Sequence, residues 1–90
     1  MESEVRVSAN AQKENTPVKR FRSGPISATI WENTTTDKEG EVRSFYSISL
    51  DRAYKDAQDN WQHANSYRVG DLPRAKLVLE KAYEWLALEN

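Results

Sequence analysis

The chain contains one histidine, no cysteine, and glycines only at positions 24, 40 and 70. Nucleophilic catalysis needs a hydroxyl or thiol beside a base, and no serine or cysteine partner is predictable for His63. A lone histidine on a strand reads as a structural or solvated residue. One histidine cannot build a multi-histidine metal site. The missing cysteines exclude disulfides, Cys-based zinc sites and iron–sulfur clusters. Gly24, Gly40 and Gly70 are too scattered for a phosphate loop or a dinucleotide fingerprint. The acids gather at Asp37, Glu39 and Glu41, at Asp56 and Asp59, and on the wet side of a C-terminal helix. Solvation explains them there. The expectation is a binding protein, not an enzyme, with no cofactor and no metal.

The residues with binding chemistry are aromatic and basic. Trp31 and Phe45 share a predicted sheet face with small polar residues: Ser27, Thr29, Ser47, Ser49, Gln62 and Ser66. Arg43, Lys55 and Arg68 surround that face, and Lys19, Arg20 and Arg22 enter it from the preceding segment. No acid falls between Glu14 and Glu32, so the Lys19–Arg22 cluster is locally uncompensated. A base stacked on an aromatic ring contributes roughly 1–3 kcal/mol, and basic groups follow the phosphates. These eight residues therefore predict a platform for single-stranded DNA or RNA. The same rings also suit a protein interface, packed on each other, on the tail or on a second subunit. Thirteen basic and fourteen acidic residues give a net charge of −1, which argues against a duplex-DNA binder.

These side chains need a sheet to hold them. Ile26, Ala28 and Ile30 alternate with Ser27, Thr29 and Trp31. Val42, Tyr46, Ile48 and Leu50 alternate with Arg43, Phe45, Ser47 and Ser49. Both runs predict half-buried antiparallel strands. Asp37-Lys38-Glu39-Gly40 suits a type I turn with Gly40 left-handed, which sets Ile30 opposite Ile48 and Ala28 opposite Leu50. Trp61 to Val69 predicts a weaker strand. A four-residue loop, Ala57 to Asn60, with Asn60 left-handed, is expected, because it places Tyr67 opposite Leu50 and keeps Val69 buried; a three-residue loop would send Tyr67 outward. Before the first strand, Gly24-Pro25 is a break. Phe21 either ends a short extra edge strand or clamps the tail.

Asp71 and Pro73 mark a helix start. Ala75, Val78, Leu79, Ala82 and Leu86 then repeat at helical spacing, widened by Tyr83 and Trp85. About 17 residues span roughly 25 Å, near the length of an eight-residue strand, so one helix is expected to cover one sheet face. The expected fold is α+β: an antiparallel β-meander of three to four strands followed by one C-terminal amphipathic helix.

The chain has 90 residues. Residues 1–18 carry few apolar side chains and are expected to form a disordered tail. Residues 19–90 are expected to form the single domain. A core of about 70 residues without staples favours dimerisation. The absence of cysteine, and of an apolar run fit for a signal peptide or membrane span, predicts a cytoplasmic protein without membrane contact.

Three stretches carry a family resemblance: Lys19-Arg20-Phe21-Arg22-Ser23-Gly24, Phe45-Tyr46-Ser47-Ile48-Ser49-Leu50, and Tyr67-Arg68-Val69-Gly70-Asp71-Leu72-Pro73. With strands running directly into a C-terminal helix, the chain resembles the single-stranded-DNA-binding domain of positive cofactor four, a transcription coactivator, and its small prokaryotic relatives. The resemblance implies a homodimer formed largely through the C-terminal helices, with curved sheets gripping unpaired DNA. It implies that Trp31 and Phe45 stack on bases while Arg43, Lys55, Arg68 and the Lys19–Arg22 cluster meet phosphates. The family has four strands, the first of which would come here from Lys19–Ser23, and is usually more basic.

Overall fold

The computed structural model describes residues 14–89. One antiparallel sheet has the strand order β1-β2-β3-β4. Its strands are β1 (Glu14–Ser23), β2 (Ile26–Thr36), β3 (Val42–Lys55) and β4 (Trp61–Ala64). A 3-10 turn over Val69–Asp71 leads into the helix α1 (Leu72–Glu89). The expected α+β meander with its C-terminal helix is present, in the four-stranded form.

The segment before Gly24-Pro25 is that fourth strand. It begins at Glu14, so Glu14 to Val18 belong to the sheet and not to the expected tail. The remainder of that tail, residues 1–13, lies outside the described residues. Register shifts between Pro17 and Lys19, leaving Val18 as the extra residue of a bulge. Pro17 is tolerated because, among the described residues, β1 pairs with β2 alone, and an edge strand does not need the N–H that proline lacks. Gly24 has φ +61°. It occupies the first central position of a two-residue turn, where the type II′ pattern wants glycine.

The β2–β3 hairpin follows its sequence. Gly40 has φ +83°. Its N–H donates to the Asp37 carbonyl at 3.0 Å, and the Asp37 N–H donates to the Glu41 carbonyl at 2.9 Å. Asp37 Oδ1 accepts the N–H groups of Glu39 and Glu41 at 3.0 and 2.9 Å. Ile30 then pairs with Ile48 and Ala28 with Leu50, as the turn predicts.

The β3–β4 hairpin differs from expectation. Its loop has three residues, Ala57 to Asp59, and Asp59 takes the left-handed position at φ 67°. The reason is a second copy of the first turn. Asp56 Oδ1 accepts the N–H groups of Gln58 and Asn60 at 2.9 and 3.0 Å, as Asp37 does in its own loop. The Asn60 N–H holds the Asp56 carboxyl below the usual carboxylate range; desolvation opposes it, and Gln62 and Gln58 add to it. The strand pairs only from Arg52–Ala64 to Lys55–Trp61 and stops at Ala64. Tyr67 therefore leaves the sheet and still packs on the core. Val69 is 86% exposed, contrary to the buried position expected of it.

Ile26, Ala28 and Ile30 of β2 meet Ala75, Val78 and Ala82 of α1 to form the core. The three alanines bring helix and sheet close together. Phe21, Leu50, Tyr67, Trp85 and Leu86 pack around them. The helix packs mainly on β1 and β2. A helix about 10 Å wide covers two strands spaced about 4.8 Å apart, not four. Leu79 and Tyr83, expected in the core, are exposed, as is Ile48 on the helix side of β3. Length alone did not decide coverage; width did.

Asp71 lies in the 3-10 turn. Its Oδ2 accepts the Arg68 N–H at 2.9 Å, so it closes the turn before the helix. Burial, with the Asp51 carboxylate nearby, pushes the Tyr67 phenol above its ordinary value; its hydroxyl has no hydrogen-bond partner among the described residues.

Candidate nucleic-acid interface

Side chains alternate across a strand, and Ile26, Ala28 and Ile30 point to the helix. The intervening residues of β2, and everything paired with them, form the helix-free face. Register places Arg20 and Arg22 of β1 there, opposite Thr29 and Ser27. Phe45, Ser47 and Ser49 of β3 lie opposite Asn33, Trp31 and Thr29. Arg43 lies opposite Thr35, at one end of the face. Lys55 lies at the other end, paired with Trp61.

Trp31 and Phe45 are diagonal neighbours across β2 and β3, a separation of about 7–8 Å between backbones. Trp31 Nε1 donates to Ser49 Oγ at 2.9 Å, which ties the indole edge to the sheet. Asn33 Nδ2 donates to Ser47 Oγ at 2.9 Å and to the Phe45 carbonyl at 3.3 Å, holding the backbone that carries Phe45. Asn33 is buried and Phe45 is 49% exposed. Small hydroxyl side chains beside the two rings leave room for a flat ligand.

Six of the eight residues singled out from the sequence share this face: Arg20, Arg22, Trp31, Arg43, Phe45 and Lys55. Two do not. Lys19 pairs with Ile30 and so faces the helix side, with its Nζ 5.5 Å from the Phe21 ring centre. The bulge at Val18 sets this phase. Arg68 lies beyond β4, at the turn before the helix, because the sheet ends at Ala64. Gln62 pairs with Tyr54 and Ser66 follows β4, so neither joins the polar face expected of them.

The cations are not equivalent. Arg43 Nε lies 3.5 Å from Asp37 Oδ2, and another of its nitrogens lies 3.5 Å from Glu41 Oε1. Lys55 Nζ lies 3.3 Å from Asp59 Oδ1 and 5.4 Å from the Trp61 ring centre. Arg20 and Arg22 instead donate to neutral oxygens, Ser27 Oγ at 3.2 Å and the Gly24 carbonyl at 3.0 Å.

Two residues of this face are not evident from sequence. The three-residue loop turns Trp61 and His63 onto it, where Trp61 is 61% exposed and His63 Nδ1 lies 2.8 Å from Asp51 Oδ2. The signal was the aspartate that opens both loops three residues before the left-handed position. Among the described residues, no three His, Cys, Asp or Glu side chains gather to hold a metal ion. None of the described helices is long and apolar enough to cross a membrane. No protein-family model matches the chain, and neither a curated protein nor a solved structure matches it.

Proposed function

We propose that this protein binds single-stranded nucleic acid, DNA or RNA, on the helix-free face of its sheet, and performs no chemistry on it. The observation that supports this most is the shared placement of Trp31 and Phe45 among small hydroxyl residues, with Arg20, Arg22, Arg43 and Lys55 around them. Flat rings accept bases of any sequence, and the cations follow the backbone. The resemblance to the positive-cofactor-four domain points the same way, toward a homodimer acting on unpaired DNA. A second copy of the chain is the natural cover for the helix side, where Leu50, Tyr67, Leu72 and Leu79 line an open apolar groove of about 650 Å³.

The test is a fluorescence titration with oligo-dT and with duplex DNA at low salt. Quenching by oligo-dT, weaker for duplex and falling steeply with salt, is expected. A Trp31→Ala plus Phe45→Ala double variant should lose at least about tenfold in affinity, given about 1–3 kcal/mol per stacked base, and keep its circular dichroism spectrum. No change in wild-type fluorescence or anisotropy at low salt would sink the proposal and favour a protein partner on the same face. Unfolding of the double variant would assign the rings to packing.

A further inference from the structure

Beyond the Trp31–Phe45 platform, the same face holds a cavity of about 300 Å³ at the end where β4 joins the sheet. Arg20 and Arg22 line it from β1, Trp61 and His63 from β4, with only the small side chains of Ser27 and Ala53 from the strands between. We infer that this cavity is a nucleotide subsite: it takes one base of an unpaired strand against Trp61, with the adjoining phosphate on Arg20 and Arg22. This inference rests on the nucleic-acid reading above and deepens it.

Three features of the cavity fit that ligand. Its volume sits at the lower end of the range of small-molecule pockets, about 300–1,000 Å³. Its two guanidinium groups touch neutral oxygens and form no ion pair among the described residues, unlike Arg43 and Lys55. Among the described residues they are therefore the cations of this face that a phosphate meets without displacing a carboxylate. Trp61 is a large ring left mostly in water at an edge strand, where packing does not explain it. Lys55 sits over the indole ring, adding a cation beside the stacking surface.

His63 completes the chemistry. The nearby Asp51 carboxylate would repel a phosphate, but His63 Nδ1 engages it at 2.8 Å. A carboxylate only accepts, so the contact puts a proton on Nδ1, and in the neutral tautomer Nε2 is then an acceptor. That nitrogen suits a ring or exocyclic N–H of a base. The cavity and the platform lie on the same face of the sheet. From Ser47, the partner of Trp31, to Lys55, the partner of Trp61, β3 runs about 27 Å at roughly 3.4 Å per residue. The two sites are ends of one track, and a strand must be long enough to reach both.

The test uses the full chain with labelled oligo-dT, read by anisotropy across a salt series. Trp61→Ala should weaken binding about 5- to 150-fold, the equivalent of roughly 1–3 kcal/mol of stacking, while Trp61→Phe keeps most of it. Arg20→Gln plus Arg22→Gln should flatten the plot of log affinity against log salt by about 0.7 for each phosphate no longer neutralised. Wild-type binding with affinity unchanged in Trp61→Ala and slope unchanged in the arginine variant would overturn the subsite, remove Arg20 and Arg22 from the ligand's path, and leave Trp31 and Phe45 as the platform. Absence of wild-type binding at low salt overturns both. Trp61 is exposed, so its variants should fold; if Trp61→Ala does not, Trp61→Leu, which keeps apolar bulk and removes the aromatic face, decides by the same loss of affinity.

Discussion

Asp59 shows how one residue sets a site. It occupies the left-handed position that Gly40 fills in the other hairpin, at φ 67° against 83°. Side chains other than glycine are strained there, though aspartate less than most. Holding that position makes the loop three residues long and turns Trp61 onto the helix-free face. Asp59→Gly should therefore keep the hairpin and raise stability by about 0.5–1 kcal/mol. The exposed Lys55–Asp59 pair, 3.3 Å apart, is removed, but such pairs contribute little. Urea denaturation checks this: a higher midpoint with unchanged slope is expected, and a lower midpoint would show that the Asp59 carboxylate outweighs its backbone strain.

At the scale of elements, the segment between β4 and α1 is held by a side chain of β3. Arg52 Nε donates to the Ser66 carbonyl at 2.9 Å and lies 3.8 Å from Asp71 Oδ2. Its guanidinium carbon is 5.1 Å from the Tyr54 ring centre, and the side chain is largely buried. Arg52→Met keeps the stem and removes the donors. It should cost about 1.5–3 kcal/mol, the range for hydrogen bonds from charged groups, measured by denaturation. Unchanged stability would mean that Tyr67 packing alone positions the segment. This junction also marks the limit of what sequence shows. β2, most of β3, the Gly40 turn and α1 were legible because alternation, turn chemistry and helical spacing agree there. β1 was only partly legible: Glu14 to Val18 pair along one edge, include Pro17, and have no apolar alternation to report it. The end of β4 carries no glycine or proline, so Asn65 to Arg68 read as more strand. Five of the site residues share one face because they sit on the legible strands or on the β1 segment next to its turn; Lys55 joins them because β3 continues to Lys55, past the Val42–Leu50 alternation. Lys19 and Arg68 fall elsewhere because a bulge and an early strand end are tertiary outcomes. Trp61 and His63 were not legible because their face depends on one residue of loop length.

At the scale of the molecule, the fold is thin, 47 × 37 × 17 Å, with a radius of gyration of 16.3 Å. A compact chain of this length would have about 12 Å. The long dimension matches the 14 residues of β3 at about 3.4 Å each, and across the sheet α1 lies over β1 and β2 and leaves the helix side of β3 in water. Ile48 is 38% exposed and Tyr83 on the helix is 68% exposed. Leu72 and Leu79 add to the same uncovered strip. A two-fold partner would bury that strip against its own copy and leave the helix-free faces of both chains open to ligand. Sedimentation should then give a dimer, twice the 10.4 kDa of one chain. Stable interfaces bury more than about 1,000 Å² in total, so two charges in the strip should be enough to split it. Ile48→Lys plus Leu79→Lys should give a folded monomer whose Trp61 and Trp31 still respond to oligo-dT, with affinity reduced only by the absence of the second track. A wild-type chain that sediments as a monomer at high concentration would remove the second copy from the proposal and leave the sheet face to act alone.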